Sequence, residues 1–199
     1  RKPKGDRPGV GHRPRAARSR QHPVHVTMKL RRALPRLRSK PSAQVVWHCL
    51  ARGRERFGFR LVQFSIQADH LHLIAEAPDR PSLARGIQGL AVRGAKRLNR
   101  AWGRKGAVFA DRYHDRVLRS PREVRAALCY VLNNALHHGH RFHRDGRPCP
   151  DPMSSAPWFA GWVGDSAPAP PPGAPQPVVA PRCWLLTKGW RRHGGIRVD

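Results

Sequence analysis

Apolar and polar residues alternate from His22 to Leu30, where Val24, Val26 and Met28 interleave with His25, Thr27 and Lys29; this is the period of a half-buried strand. Pro41 and Ser42 then open a segment in which Val46, Trp47, Leu50 and Ala51 recur at helical spacing. A helix is predicted over Ala43–Phe57, with Arg52, Arg54 and Arg56 near its end, where cations suit the macrodipole, and with Gly58 as its stop. The run FRLVQFSIQADHLHLIAEA reads as two strands that turn at Gln67–Asp69 and close at Pro78. Ser82 is the predicted cap of a helix that aligns Leu83, Ile87, Leu90, Ala91 and Leu98. Gly103 and Gly106 interrupt, a short strand carrying Tyr113 follows within Val108–Leu118, and a last helix begins at Ser120. Its start is marked by Ser120 as cap, Pro121 at the first helical position and Glu123 as the partner in a capping box.

The order strand, helix, strand, strand, helix, strand, helix predicts an α+β fold, a ferredoxin-like α/β sandwich with an antiparallel sheet, rather than a doubly wound parallel one. That core is expected over residues 22–140. Residues 1–21 are basic, rich in Pro and Gly and without apolar period, so they read as a disordered arm. Residues 141–199 form a C-terminal extension, in which the Pro- and Ala-rich stretch 166–181 reads as a linker of polyproline type. The terminal CWLLTKGWRRHGG, with Trp184, Trp190, Arg191, Arg192 and His193, reads as a small docking or DNA-contacting element.

Charge changes the picture more than length does. The 199 residues carry 39 Lys and Arg against 12 Asp and Glu, a formal net charge of +27, and so much self-repulsion points to a polyanionic partner, nucleic acid by default. Arginine dominates, which suits bidentate phosphate contacts and follows equally from a GC-rich genome. Arg93, Lys96, Arg97 and Arg100 are spaced to form one basic stripe on a helix, and Arg112, Arg191 and Arg192 extend the candidate DNA-contacting set. Cys49, Cys129, Cys149 and Cys183 form no C-x-x-C pair and no disulfide framework. No apolar run approaches a membrane span and no signal-peptide pattern follows the basic start, so the expected location is cytoplasmic, at the nucleoid, with no membrane partner. The chain opens at Arg1 rather than at methionine, which leaves room for residues upstream.

Candidate chemistry sits in two segments. On a strand, His70 and His72 share one face, close enough to hold one metal ion, while Leu71 and Leu73 point into the core. In AALCYVLNNALHHG a helical wheel puts Val124, Leu128, Val131, Leu132 and Ala135 on an apolar stripe and gathers Tyr130, Asn134 and His137 on a different face. A His-x-His strand beside a tyrosine-bearing helix is the equipment for cutting single-stranded DNA through a phosphotyrosine. A phenol, with a pKa near ~10, is a sluggish nucleophile, so such chemistry needs a divalent cation to polarise the phosphate. Nitrogen and oxygen ligands suit Mg²⁺ or Mn²⁺ in this role, with zinc a competitor on softness alone. Ile74 occupies the place of the third alternate histidine of a histidine-triad nucleotide hydrolase, which disfavours that class. His137, His138, His140, His143 and Cys149 fit no structural-zinc spacing and read as solvated or phosphate-facing groups. Tyr113 reads as a packing residue or one that stacks on a base.

The ordered set ADHLHLIAEA, VFADRYHDRVLRSPREV and ALCYVLNNALHHG resembles the single-tyrosine HUH transposases, particularly the REP-associated tyrosine transposases of bacteria, over roughly residues 22–140. The resemblance implies that His70 and His72 bind the metal, that Tyr130 is the nucleophile and that Asn134 completes the metal site. It implies nicking of single-stranded DNA at a hairpin-marked site, with the enzyme left on a 5′ phosphate and a free 3′ hydroxyl. Related enzymes can work as homodimers that exchange the tyrosine helix; the pattern leaves open whether this chain does so or whether its C-terminal extension occupies that surface and keeps a monomer. Two departures stand out. Gln67, Ala68 and Asp69 replace the usual Met-Pro-Asn or Met-Pro-Asp, and Asn134-Ala135 replaces Asn-Pro. Both alter loop or helix-end geometry and leave the ligand positions in place. The alternative from a different class is a non-catalytic hairpin-binding protein derived from a transposase.

Overall fold

Alternation along one central strand builds a core on each face of the sheet. The computed structural model describes residues 21–110, 112–144, 147–164, 170 and 175–198, so the arm expected over 1–21 lies outside the described residues apart from Gln21. Strands β1 (Val24–Lys29), β2 (Glu55–Arg56), β3 (Phe59–Ile66), β4 (His70–Glu76) and β5 (His114–Val117) form one five-stranded sheet in the order β2-β3-β4-β1-β5, antiparallel throughout. Without the short β2 this is the ferredoxin-like order, so the α+β expectation holds.

Helices α1 (Lys40–Gly53) and α2 (Arg80–Ala101) cover one face. There Val24, Val26, Leu71 and Leu73 meet Val46, Leu50, Leu83 and Ile87 in the first core. Helix α3 (Pro121–Leu132) covers the other face, where Val124, Leu128, Val131 and Leu132 pack on Val62 and Ile74. A bulge between Leu61 and Gln63 shifts the alternation of β3, so that Leu61, Phe64 and Ile66 reach the first core while Val62 joins the second.

The boundaries differ from expectation in particular ways. α1 ends at Gly53 rather than Phe57, because Phe57 and Gly58 take positive φ (56° and 80°) to turn the β2–β3 hairpin. The cap of α2 is Asp79, whose side chain accepts from Ser82 N at 2.7 Å, so Ser82 lies inside the first turn. Tyr113 precedes β5 rather than lying in it. The last helix breaks at Asn133, and a separate short helix α4 runs over Asn134–His137.

The core does not stop near residue 140. Segment 153–155 runs beside β3, with Ile66 N donating to Met153 O at 2.9 Å and Ser155 N to Phe64 O at 3.0 Å. The expected linker is likewise not free of the fold at its described end: Val178 is buried in the first core and Val179 N donates to Leu61 O at 2.9 Å. These contacts cover an edge that β2 pairs only at Phe59 and Arg60, and an open edge invites pairing with other chains. Asp151, almost wholly buried, takes a bidentate ion pair from Arg38 at 2.7 and 2.9 Å. Leu185, Leu186, Trp190 and Ile196 complete the second core, including the short helix α5 (Trp184–Thr187). Its approach is fixed by Glu76, whose carboxylate accepts from Arg182 N at 2.8 Å, Cys183 N at 2.7 Å and Arg60 Nε at 3.3 Å. The terminal element is thus a docking one. No helix among the described residues is long and apolar enough to cross a membrane.

Glu76→Ala leaves the Arg182 and Cys183 N–H groups without an acceptor, while Arg60 keeps Glu55 and the Ala180 carbonyl. A loss of about 3 kcal/mol is expected in urea unfolding, together with faster proteolytic release of the segment after Arg182.

Candidate active site

β4 delivers both imidazoles to the α3 face, and each ring is oriented from behind. Asp69, at the turn before the strand, accepts from His70 Nδ1 at 2.7 Å. On β1, which pairs with β4, Thr27 stands opposite His72; Thr27 Oγ1 lies 3.2 Å and His25 Nε2 3.1 Å from His72 Nδ1. The opposite nitrogens converge, with His70 Nε2 and His72 Nε2 2.9 Å apart. Tyr130 Oη lies 3.4 Å from His72 Nε2.

α3 supplies the tyrosine. Its start is firm, since Ser120 Oγ accepts from Glu123 N at 3.2 Å. Glu123 reaches one residue further back than a capping box requires, accepting from Arg119 N at 2.6 Å, and also holds Arg116 of β5 at 3.0 Å. These two hydrogen bonds lower its carboxyl pKa, the one from Arg119 first. Apolar residues on the inner face of α3 fix its rotation, leaving Tyr130 41% exposed above the histidines. The C-terminal segment holds the outer side: Arg125 Nη2 donates to Gly195 O at 3.0 Å and Asn133 Nδ2 to Arg197 O at 2.9 Å.

Burial governs the electrostatics. It pushes the pKa of His72 down to about 3, with the neighbouring His70, His25 and His138 adding repulsion, and that of His25 down to about 4, helped by Arg116. Asp69 is lowered first by its hydrogen bond with His70. Beside Tyr130 opens a groove of about 630 Å³, lined among others by His25, His72, Arg116 and Arg122.

His70, His72 and Tyr130 therefore meet as expected from sequence. Asn134 follows the break at Asn133 (φ −102°, ψ 11°) and lies at the start of the short helix α4. It is 1% exposed, and neither atom of its side-chain amide has a hydrogen-bond partner. His137 stacks near Tyr130 with ring centroids 6.0 Å apart, and His138 lies 6.0 Å from the His70 ring. Arg93, Lys96, Arg97 and Arg100 sit on α2, on the sheet face away from Tyr130. Arg112 lines a separate cavity with Lys29, Arg80 and Tyr113. Arg191 and Arg192 lie over the Trp190 and Trp184 rings. Reasoning from sequence missed His25, Arg116 and Arg122. The one available signal was Arg122, a cation in a first helical turn, where the macrodipole favours anions.

The donors fit a small divalent cation. Two ligands at ~2.1 Å and right angles stand about 3 Å apart, and the paired Nε2 atoms are 2.9 Å apart. The amide of Asn134 is buried and without a hydrogen-bond partner, and its oxygen is of the kind such an ion prefers. Among the described residues no three His, Cys, Asp or Glu side chains group to hold an ion.

Comparison with known proteins bears on the family and the fold. The family model described as IS200-like transposase matches residues 19–133. A solved structure of a REP-associated tyrosine transposase bound to a REP hairpin superposes with a TM-score of 0.53 at 17% identity, covering 65% of this chain and 75% of that one. At that identity the likeness establishes the fold. No curated protein matches the chain.

Folded His25 and His72 resist protonation down to about pH 4 and 3, whereas their unfolded imidazoles take up protons near 6.5. The unfolded chain binds more protons between those values, so stability is full above about pH 7 and falls as pH drops from 6.5 toward 4. Urea unfolding at pH 7.5 and pH 5 measures the difference, and His72→Gln is expected to remove part of it.

Proposed function

We propose, from the premise that this chain belongs to the IS200-like transposase family, that it nicks single-stranded DNA beside a hairpin and transfers strands through a 5′-phosphotyrosine at Tyr130. The observation that carries this reading is Tyr130 Oη standing 3.4 Å from His72 Nε2, at the pair formed with His70. A divalent cation, Mg²⁺ or Mn²⁺, held by His70 and His72 with Asn134 as the third donor, would supply Lewis-acid polarisation of the scissile phosphate.

The residues of the chain do the rest. Tyr130 Oη attacks phosphorus and the P–O3′ bond breaks. The phosphate stays on the tyrosine, and the departing 3′ oxygen gains a proton as the phenol loses one. Phosphoester bonds are conserved, so no triphosphate is consumed. Exposure of the phenol lets a strand reach it, and Arg116 and Arg122 on the groove wall give the backbone two cations where negative charge builds up. The hairpin as partner is supported by the likeness to a transposase that binds a REP hairpin.

Incubation with labelled hairpin DNA and Mn²⁺ is expected to give a covalent adduct in denaturing gels. Tyr130→Phe abolishes the adduct while hairpin affinity stays close to that of the unaltered protein, and Tyr113→Phe cleaves normally. His70→Ala or His72→Ala abolishes cleavage in a folded protein. Hairpin binding without any adduct in the unaltered protein would instead identify a non-catalytic hairpin-binding derivative.

Salt dependence separates the two basic faces. Affinity for single strands falls with a log-log slope of about −0.7 per neutralised phosphate. Arg116→Ser and Arg122→Ser are each expected to reduce that slope by about one contact. Neutralising Arg93, Lys96, Arg97 and Arg100 together tests whether DNA also reaches the α2 face, and an unchanged slope there would mean that these charges only solvate the helix.

A further inference from the structure

We propose that His25 is a positioning residue for the cation site: its Nε2 accepts the Nδ1 proton of His72, leaving His72 Nε2 bare and aimed at the point it shares with His70 Nε2. This rests on the metal-dependent reading above. A neutral imidazole carries one N–H, on either nitrogen. With the proton on Nε2, His72 donates toward His70 or Tyr130 and cannot ligate. With it on Nδ1, the ring can ligate, but that N–H faces the protein interior, since His72 is only 4% exposed, and it needs an acceptor there.

The two rings are built alike. His70 has a carboxylate, Asp69, against its Nδ1 at 2.7 Å. His72 has instead the Nε2 of His25 at 3.1 Å, with Thr27 Oγ1 at 3.2 Å as the other polar atom near that nitrogen among the described residues. His25 Nε2 and the Thr27 hydroxyl can each donate or accept, and of the two arrangements of the histidine pair only the one in which His25 Nε2 carries no hydrogen and accepts leaves His72 Nε2 bare. His25 also fixes the ring plane. It lies 5.1 Å from the His72 ring and 5.8 Å edge-on from the Tyr130 ring, packed against both. Partners behind a ligating histidine set its tautomer and orientation, and their loss costs about 10- to 100-fold in metal affinity.

The test is Mn²⁺ binding by calorimetry on the full chain without DNA at pH 7.5, with thermal melting of each variant to confirm folding. His25→Leu removes the acceptor and is expected to weaken Mn²⁺ binding about 10- to 100-fold. His25→Asn, whose amide stops short of the Nε2 position, behaves like His25→Leu and keeps a polar group should the leucine variant fold poorly. His25→Gln, whose amide reaches that position, restores most of the affinity. Nitrogen-15 spectra in excess Mg²⁺ show His72 protonated at Nδ1 in the unaltered protein and in His25→Gln, with an Nε2-protonated population appearing in His25→Asn. Mn²⁺ affinity in His25→Leu and His25→Asn equal to that of the unaltered protein overturns the role of His25, as does an equal loss in His25→Gln. Absence of Mn²⁺ binding by the unaltered protein overturns the metal-dependent reading itself, and this inference with it.

Discussion

The two-residue period of β4 is the constraint on which the rest depends. Leu71 and Leu73 are held in the first core and His70 and His72 face the second, so the histidines cannot turn without pulling two leucines out of the most buried layer. β4 is flanked on both sides by paired strands, which fixes its register against β1 and β3. The paired imidazoles therefore inherit the rigidity of the sheet. The tyrosine comes from a different element, and its position depends on how firmly α3 is held.

That hold comes from both sides. Apolar residues seat α3 on Val62 and Ile74, while Arg125 and Asn133 bind it to the carbonyls of Gly194, Gly195 and Arg197. The C-terminal segment is anchored in turn by Glu76, at the end of the strand that carries the histidines. The histidine pair and Tyr130 are thus joined by two routes, one through the core and one through the C-terminal segment.

Much of this was legible in the sequence because it depends on short-range periodicity. Strand alternation placed His70 and His72 on one face, and the signals at Ser120 and Pro121 located the start of α3. What was not legible depended on distant partners. The helix break at Asn133, whose side chain donates to the carbonyl of Arg197 far along the chain, is invisible to a wheel, and Asn134 after it is buried while Tyr130 is exposed. The docking of Val178 needs a sheet edge whose existence only the assembled topology reveals. His25 looked like any polar-face residue of a strand, since its importance arises from the register of β1 against β4.

The sheet also acts as a partition. The arginines and lysine of α2 lie behind it and Tyr130 lies in front, so a single strand touching both must pass round a margin of the sheet. At β3 that margin is closed by residues 153–155 and 178–180. Among the described residues β5 has no neighbour on its outer side, and it bears Arg116 facing the groove. The same four-residue strand that ends the sheet is therefore, among the described residues, the margin across which its two charged faces lie nearest to open solvent on both sides.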